Sequence, residues 1–303
     1  MRGKGAGLGA WVMVVVGVAG ASFSAPLAAA TAAPAIAVGM WRNTFGTAVT
    51  LPFVVARRRR STLRGLPPRA WGWSLLAGTQ LAVHFGTWLT SLRMTSVAVA
   101  TALVSTTPVW VVAIDVLRGV RVPAAVLGGT ALAIAGGVAI TGVDAASSAR
   151  ALAGDGLAVL GAISMGTNIA AGERARSDLT TAEYTLIAYG TCALSLLPVA
   201  LLTGEPLAGF SAVTWAQLLA ITVSAQLLGH TLLNAVLPRV GGTAIALSLL
   251  FEVPGATLVA WVWPGQAPSL LIVPGTALML AGLAIVVRAG RGEAPPQGVV
   301  EVT

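Results

Sequence analysis

Long apolar runs, separated by short polar or arginine-bearing breaks, dominate the 303-residue chain. Ten such windows lie at about 8–28, 34–56, 71–92, 95–117, 122–142, 154–172, 182–203, 213–236, 240–263 and 269–288. Each is close to the roughly 20 residues an α-helix needs to cross a bilayer. In lipid every backbone polar group must be satisfied internally, and helices of this length do so. The predicted fold is therefore all-α and membrane-integral, with ten transmembrane helices. The first window also imitates a secretory signal peptide: Arg2 and Lys4, an apolar stretch, then Ala28-Ala29-Ala30. Removing it would leave an odd half-repeat, so it is read as the first helix.

A shift of 146 residues, without gaps, lays the second half of the chain on the first. Gly129-Thr130-Ala131-Leu132 meets Gly275-Thr276-Ala277-Leu278, Pro52 meets Pro198, Pro108 meets Pro254, Gly119 meets Gly265 and Arg93 meets Arg239. Gln80 falls on Gln226 and His84 on His230, and these are the only two histidines. Residues 8–142 and 154–288 thus read as two five-helix repeats. Five is odd, so the copies are expected to lie inverted in the membrane. The charges agree, because the arginine-rich stretch 57–69 maps onto 203–215, where Glu205 is the only charge. Inverted repeats of this kind place a site near the midplane, between the halves.

Composition sharpens the picture. The chain is 56% hydrophobic and 9% charged, whereas a soluble domain carries about 25% charged residues to face water. Mean hydropathy is +0.86. A net charge of +8 is compatible with nucleic acid as a partner, but the basic residues sit in short loops, where the positive-inside rule accounts for them. Placing stretch 57–69 in the cytoplasm puts both termini there. Of the 18 basic residues, only Arg93 and Arg150 then fall outside, with Arg42 inside a helix. The scarcity of lysine beside abundant Ala, Gly and Arg fits a bacterium of high GC content, hence an inner membrane. Cys192 is the single cysteine, so neither a disulfide nor a cysteine metal site is available. Lys4 is the only lysine, which removes a phosphate-binding loop, and the histidines lack zinc-protease spacing. No enzyme constellation and no cofactor site is read. Residues 289–303, with Pro295-Pro296, read as a disordered cytoplasmic tail.

The stretch His84-Phe85 through Trp88, then Ser91-Leu92-Arg93-Met94-Thr95-Ser96-Val97-Ala98, resembles helices 3 and 4 of EamA-type members of the drug/metabolite transporter superfamily. Gln226-Leu227-Leu228-Gly229-His230-Thr231-Leu232-Leu233-Asn234 and Leu249-Leu250-Phe251-Glu252-Val253-Pro254 resemble the matching helices 8 and 9. The Gly-Thr-Ala-Leu runs extend the resemblance over nearly the whole chain. It departs where the family often carries Gly-Glu, since the positions read Gly119-Val120 and Gly265-Gln266, and Val253 separates Glu252 from Pro254. The resemblance implies ten helices and export of amino acids, other metabolites or drugs.

Polar side chains deep in a span are costly and normally face a cavity or a partner helix. Gln80 and His84, four apart, share one helix face, and Gln226, His230 and Asn234 repeat that spacing. These residues are expected to line a substrate path; the alternative is that they only bond neighbouring helices. Glu252, near the middle of its window, is the candidate for proton coupling, against a purely structural hydrogen bond. Arg42 is a candidate anchor for a substrate carboxylate, or else snorkels to the outer interface. Asn168 is a cavity candidate or a packing residue, and Trp41 and Trp88 are candidates to stack on substrate. Trp71, Trp73, Trp261 and Trp263 read as interfacial. Pro108 and Pro254 are expected to bend their helices at matching positions. The expected activity is secondary active export of a small molecule by alternating access, with proton entry at Glu252. An uncoupled facilitator of the same fold and a non-transporting membrane scaffold are the alternatives. Substrate and oligomeric state are not read.

Overall fold

The computed structural model describes residues 8–56, 65–117, 119, 122–240, 248–249, 251–263, 265, 270 and 273–289. Among them every regular element is helical. In chain order these are α1 (Leu8–Ser22), α2 (Ser24–Ala30), α3 (Ala35–Ala56), α4 (Pro68–Ser91), α5 (Val97–Val104), α6 (Thr107–Leu117) and α7 (Ala124–Ser147). They continue as α8 (Ala149–Arg176), α9 (Thr181–Thr203), α10 (Ala212–Ile221), a π-helical stretch Thr222–Thr231, α11 (Leu232–Val240), α12 (Glu252–Val262) and α13 (Val273–Ala289). Most of the arginine-rich stretch 57–69 and all of the tail beyond 289 lie outside the described residues.

Local chemistry sets many of the ends. Ser96, Ser148 and Ser211 each accept a hydrogen bond from the backbone N–H three residues on, and so cap α5, α8 and α10. Thr180 and Glu183 form a reciprocal capping box at the start of α9. Gly204 ends α9 at φ 69°, a left-handed conformation that glycine adopts without a Cβ clash.

Five helical stretches are long and apolar enough to cross a membrane: 8–30, 97–114, 149–176, 181–203 and 212–236. Residues 124–139 and 273–286 form shorter apolar helices. With 22 and 24 residues, α3 and α4 have the length to span but are more polar, since they carry Arg42, Asn43, Gln80 and His84.

The packing follows the internal repeat. Under the 146-residue shift, α3 corresponds to α9 and α7 to α13, and each packs against its own counterpart. The same shift maps α4 onto the α10–π–α11 rod and α8 onto α1–α2. Helix α4 runs along α8, while the π stretch and α11 run along α1. Such an exchange of partners is what a two-fold relation between the halves produces.

Glycine permits the closest approaches. A Cβ on Gly136 would meet the backbone of Gly275 and Met279, and one on Gly282 would meet that of Gly129 and Ala133. The α7–α13 seam is thus held by backbone contact between small residues.

Two polar layers mark the ends of the bundle. At one end Arg93 donates to the carbonyls of Ala29 (3.2 Å), Thr31 (2.8 Å) and Ala33 (2.8 Å). There Glu205 also accepts from the Ile36 N–H at the start of α3, and Trp41 Nε1 donates to the Leu207 carbonyl. At the other end Arg69 pairs with Asp178 at 3.0 Å, and Arg176 donates to the Asn234 carbonyl at 3.0 Å.

The prolines act differently from expectation. Pro108 does not bend a continuous helix, because the helix stops at Val104 and restarts at Thr107. Proline removes a donor and crowds the carbonyl four residues back, here that of Val104. The hydroxyls of Ser105, Thr106 and Thr107 donate to the carbonyls of Thr101, Leu103 and Val104, which stabilises the break. Pro108 then sits in the first turn of α6, where its missing N–H costs nothing. Pro254 likewise lies in the first turn of α12 rather than in a helix interior.

Candidate functional site

Arg42 is the eighth residue of α3, about 10 Å along the helix axis from its start. Its side chain is 0% exposed, which rules out snorkelling to an interface. Nε donates to Gln226 Oε1 at 2.9 Å, and Nη1 donates to Ser24 Oγ at 3.0 Å. The guanidinium lies over the Phe85 ring, 4.2 Å from its centroid. Gln226 is itself held, because its Nε2 donates to Asn43 Oδ1 at 3.1 Å and Asn43 Nδ2 donates to the Gly39 carbonyl at 2.8 Å. One bonded chain therefore links α2, α3 and the π stretch. Every partner in it is neutral, and Nη2 is buried without an acceptor.

The surrounding shell is aromatic and titratable. Phe85 stands between the two histidines, with ring centroids 4.9 Å from His84 and 6.1 Å from His230. His84 Nδ1 lies 2.9 Å from the Gly161 carbonyl on α8, so that nitrogen carries the proton and donates. Trp88 stacks on His84 at 5.6 Å, and its buried Nε1 has no acceptor. The Tyr189 hydroxyl meets Thr231 Oγ1 at 3.1 Å, and Thr231 donates to the Gln226 carbonyl five residues back. That last bond fits the wider turn of the π-helix, a form frequent at functional sites. Glu252 is the first residue of α12 and is close enough to Arg42 for the charges to be felt. No ion pair joins the two.

The structure thus brings together Arg42, His84, Trp88, Gln226, His230 and Glu252 from the sequence-derived set. It separates the others. Gln80 is half-buried and joins none of these bonds. Asn168 Nδ2 donates to the Ala77 carbonyl at 2.7 Å, a bond between α8 and α4 that corresponds to packing. Asn234 offers its carbonyl to Arg176 at the bundle end. Trp41 packs on Phe45 and Trp215 near that end's opposite, with its indole N–H bonded to Leu207.

Ser24, Asn43, Phe85, Tyr189 and Thr231 are site residues that sequence reasoning missed. A signal for four of them was present, since the 146-residue shift pairs Asn43 with Tyr189 and Phe85 with Thr231. Asp155, 1% exposed on α8, is a further buried carboxyl that went unremarked.

A separate, almost wholly apolar cleft of about 810 Å³ opens between α6 and α7, lined by Val109, Trp110, Ala113, Leu127, Ile134 and Val138 among others. Its lining shares no residue with the Arg42 cluster and carries no charged side chain.

The fold recurs in a solved crystal structure, with a TM-score of 0.67 over 93% of this chain and 98% of the other at 20% identity. At that identity the likeness concerns the fold alone. No curated protein matches the sequence. A family model described as the EamA-like transporter family matches residues 7–142 and again 152–288, one copy for each half of the exchange-related bundle. With both halves matched, the chain belongs to the EamA-like transporter family of multi-pass membrane transporters.

Proposed function

We propose that this protein is a secondary active exporter of a small molecule, working by alternating access between two inverted five-helix repeats. The observation that carries the proposal is the bonded cluster of Ser24, Arg42, Asn43 and Gln226, with His84, His230 and Glu252 around it. It lies in the bundle interior and draws on both halves, where a carrier of this architecture holds its substrate. A scaffold has no need of buried polar groups that are only partly satisfied, because each such group is costly in a membrane interior.

In this reading substrate binds beside Arg42 and Gln226, with His84, His230 and Trp88 lining the path. Glu252 exchanges a proton and supplies the coupling. Helix breaks before α6 and α12 serve as joints on which one half rocks against the other. The end bearing Arg69, Arg174 and Arg176 faces the cytoplasm of a bacterium under the positive-inside rule. Both termini then lie on that side of the inner membrane, with ten spanning helices between them.

The test is flux in proteoliposomes under an imposed proton gradient, screened over metabolites and toxic compounds. Saturable, gradient-driven flux is expected. Glu252→Gln should abolish the response of flux to the gradient. Gradient-driven flux that persists in Glu252→Gln removes Glu252 from coupling, and gradient-independent flux in the native protein favours a facilitator.

A further inference from the structure

A guanidinium buried in a membrane interior needs a counter-charge, and the contacts of Arg42 supply none. Its Nε and Nη1 are taken by the neutral oxygens of Gln226 and Ser24, and its face is covered by Phe85. What remains is the edge of the fork at Nη2, buried and without an acceptor. The fork is also held in place, because Asn43 fixes Gln226 and the Gly39 carbonyl fixes Asn43. A rigid, charged donor with one vacant edge is built to receive an anion in its own plane.

We infer that Nη2 of Arg42 is the seat of a carboxylate on the transported molecule, so that the substrate is an organic acid or a zwitterion. This rests on the carrier reading above and deepens it.

The charge count limits the ligand. One guanidinium offsets a single negative charge, and no lysine or second arginine joins this cluster among the described residues. A phosphate or other dianion would bring an excess negative charge into the bundle. Glu252 nearby disfavours it further and would welcome an ammonium group. With Glu252 protonated, a monoanionic carboxylate satisfies the vacant donor without that excess; with Glu252 ionised, a zwitterion does so, its ammonium group giving Glu252 a partner. In the present conformation Arg42 is sealed, so the seat is reached when helices around it part. Helix α12 is poised against α1, with Gly255 so close to Ser22 that a Cβ there would collide with its Oγ.

The experiment compares acids with their own amides on the purified full-length protein in detergent. Isovalerate against isovaleramide, benzoate against benzamide, and L-leucine against L-leucinamide differ at the carboxylate and little elsewhere. The acids are expected to raise the thermal unfolding midpoint saturably, at concentrations at least tenfold lower than their amides, since a ligand stabilises the state it binds. Stabilisation by leucine but not isovalerate would assign the zwitterion; stabilisation by both would assign the simple acid. Arg42→Gln, which keeps a neutral donor, should erase the acid preference. The comparison within the native protein stands even where that variant does not fold. Equal effects of acids and amides, or no effect of any acid, overturn the carboxylate seat. Flux of a neutral or cationic compound with no acid binding would overturn the seat and leave the carrier reading standing. Acid binding without flux of any compound would do the reverse.

Discussion

Gly128 and Gly129 are neighbours on α7, yet replacing each by alanine is expected to act with opposite sign. A Cβ on Gly128 meets nothing within 4 Å. Gly128→Ala therefore brings only the gain in helix propensity, about 1 kcal/mol. A Cβ on Gly129 would lie 2.7 Å from the Gly282 carbonyl oxygen, 2.9 Å from Ile285 Cβ and 2.9 Å from the Val286 nitrogen. Two of these are backbone atoms of α13 and cannot rotate away, so the seam must open. Overpacking of this kind costs about 1–3 kcal/mol; a mid-range cost of about 2 kcal/mol less the propensity gain leaves Gly129→Ala destabilised by about 1 kcal/mol. At Gly136 the fit is tighter still, with the Gly275 oxygen at 2.6 Å and Met279 Cα at 2.7 Å. Its alanine variant meets the upper end of that cost and should lose about 2 kcal/mol net. Thermal unfolding in one detergent at one scan rate, followed by the monomer peak remaining after heating, reads the order. For a chain of this size about 2 °C of midpoint per kcal/mol is expected. Gly128→Ala should sit above the native protein, Gly129→Ala below it and Gly136→Ala lowest. Equal behaviour of the adjacent variants would refute the claim that backbone contact holds α7 on α13.

Arg93→Ala removes three charge-assisted bonds to the carbonyls that close the turn between α2 and α3, and should lower stability by about 2–4 kcal/mol in the same assay. Thr180→Ala breaks the capping box of α9 and should cost about 1 kcal/mol, most of it restored in Thr180→Ser. Arg69 is 72% exposed, so Arg69→Ala should leave the midpoint unchanged in high salt despite the 3.0 Å pair with Asp178. Single cysteines in stretches 57–69 and 203–215, on a background lacking Cys192, should react with an impermeant maleimide from opposite sides of the membrane; labelling from one side would remove the inverted arrangement.

Much of the candidate site was legible because polar residues are expensive in an apolar span, and their rarity makes them visible. His84, Gln226, His230, Glu252 and Arg42 stood out for that reason. Asn168 stood out equally, yet its amide bonds α4 to α8. Rarity marks a residue that needs a partner, but it does not tell whether the partner is a substrate or a neighbouring carbonyl. Phe85 illustrates the converse: a phenyl ring is unremarkable in such a chain, but it carries the guanidinium and separates the histidines.

Read along the chain, the sequence carried most of the helices and the repetition of the two halves, because span length, capping residues and proline act through neighbours close by. It also determined family membership, through motifs that survive in both halves. Which face of each helix looks inward emerged from the packing of the bundle. In water an amphipathic stripe reveals that face. In lipid the outside is as apolar as the core, so Val138 and Leu202 at 66% and 88% exposed resemble Val14 and Leu218 at 2% and 0%. The rotation of α3 that buries Arg42, and its bond to Gln226 across 184 residues, arise from packing among helices far apart in the chain. The break before Pro108 is local by contrast, since Ser105, Thr106 and Thr107 bond carbonyls only three or four residues back.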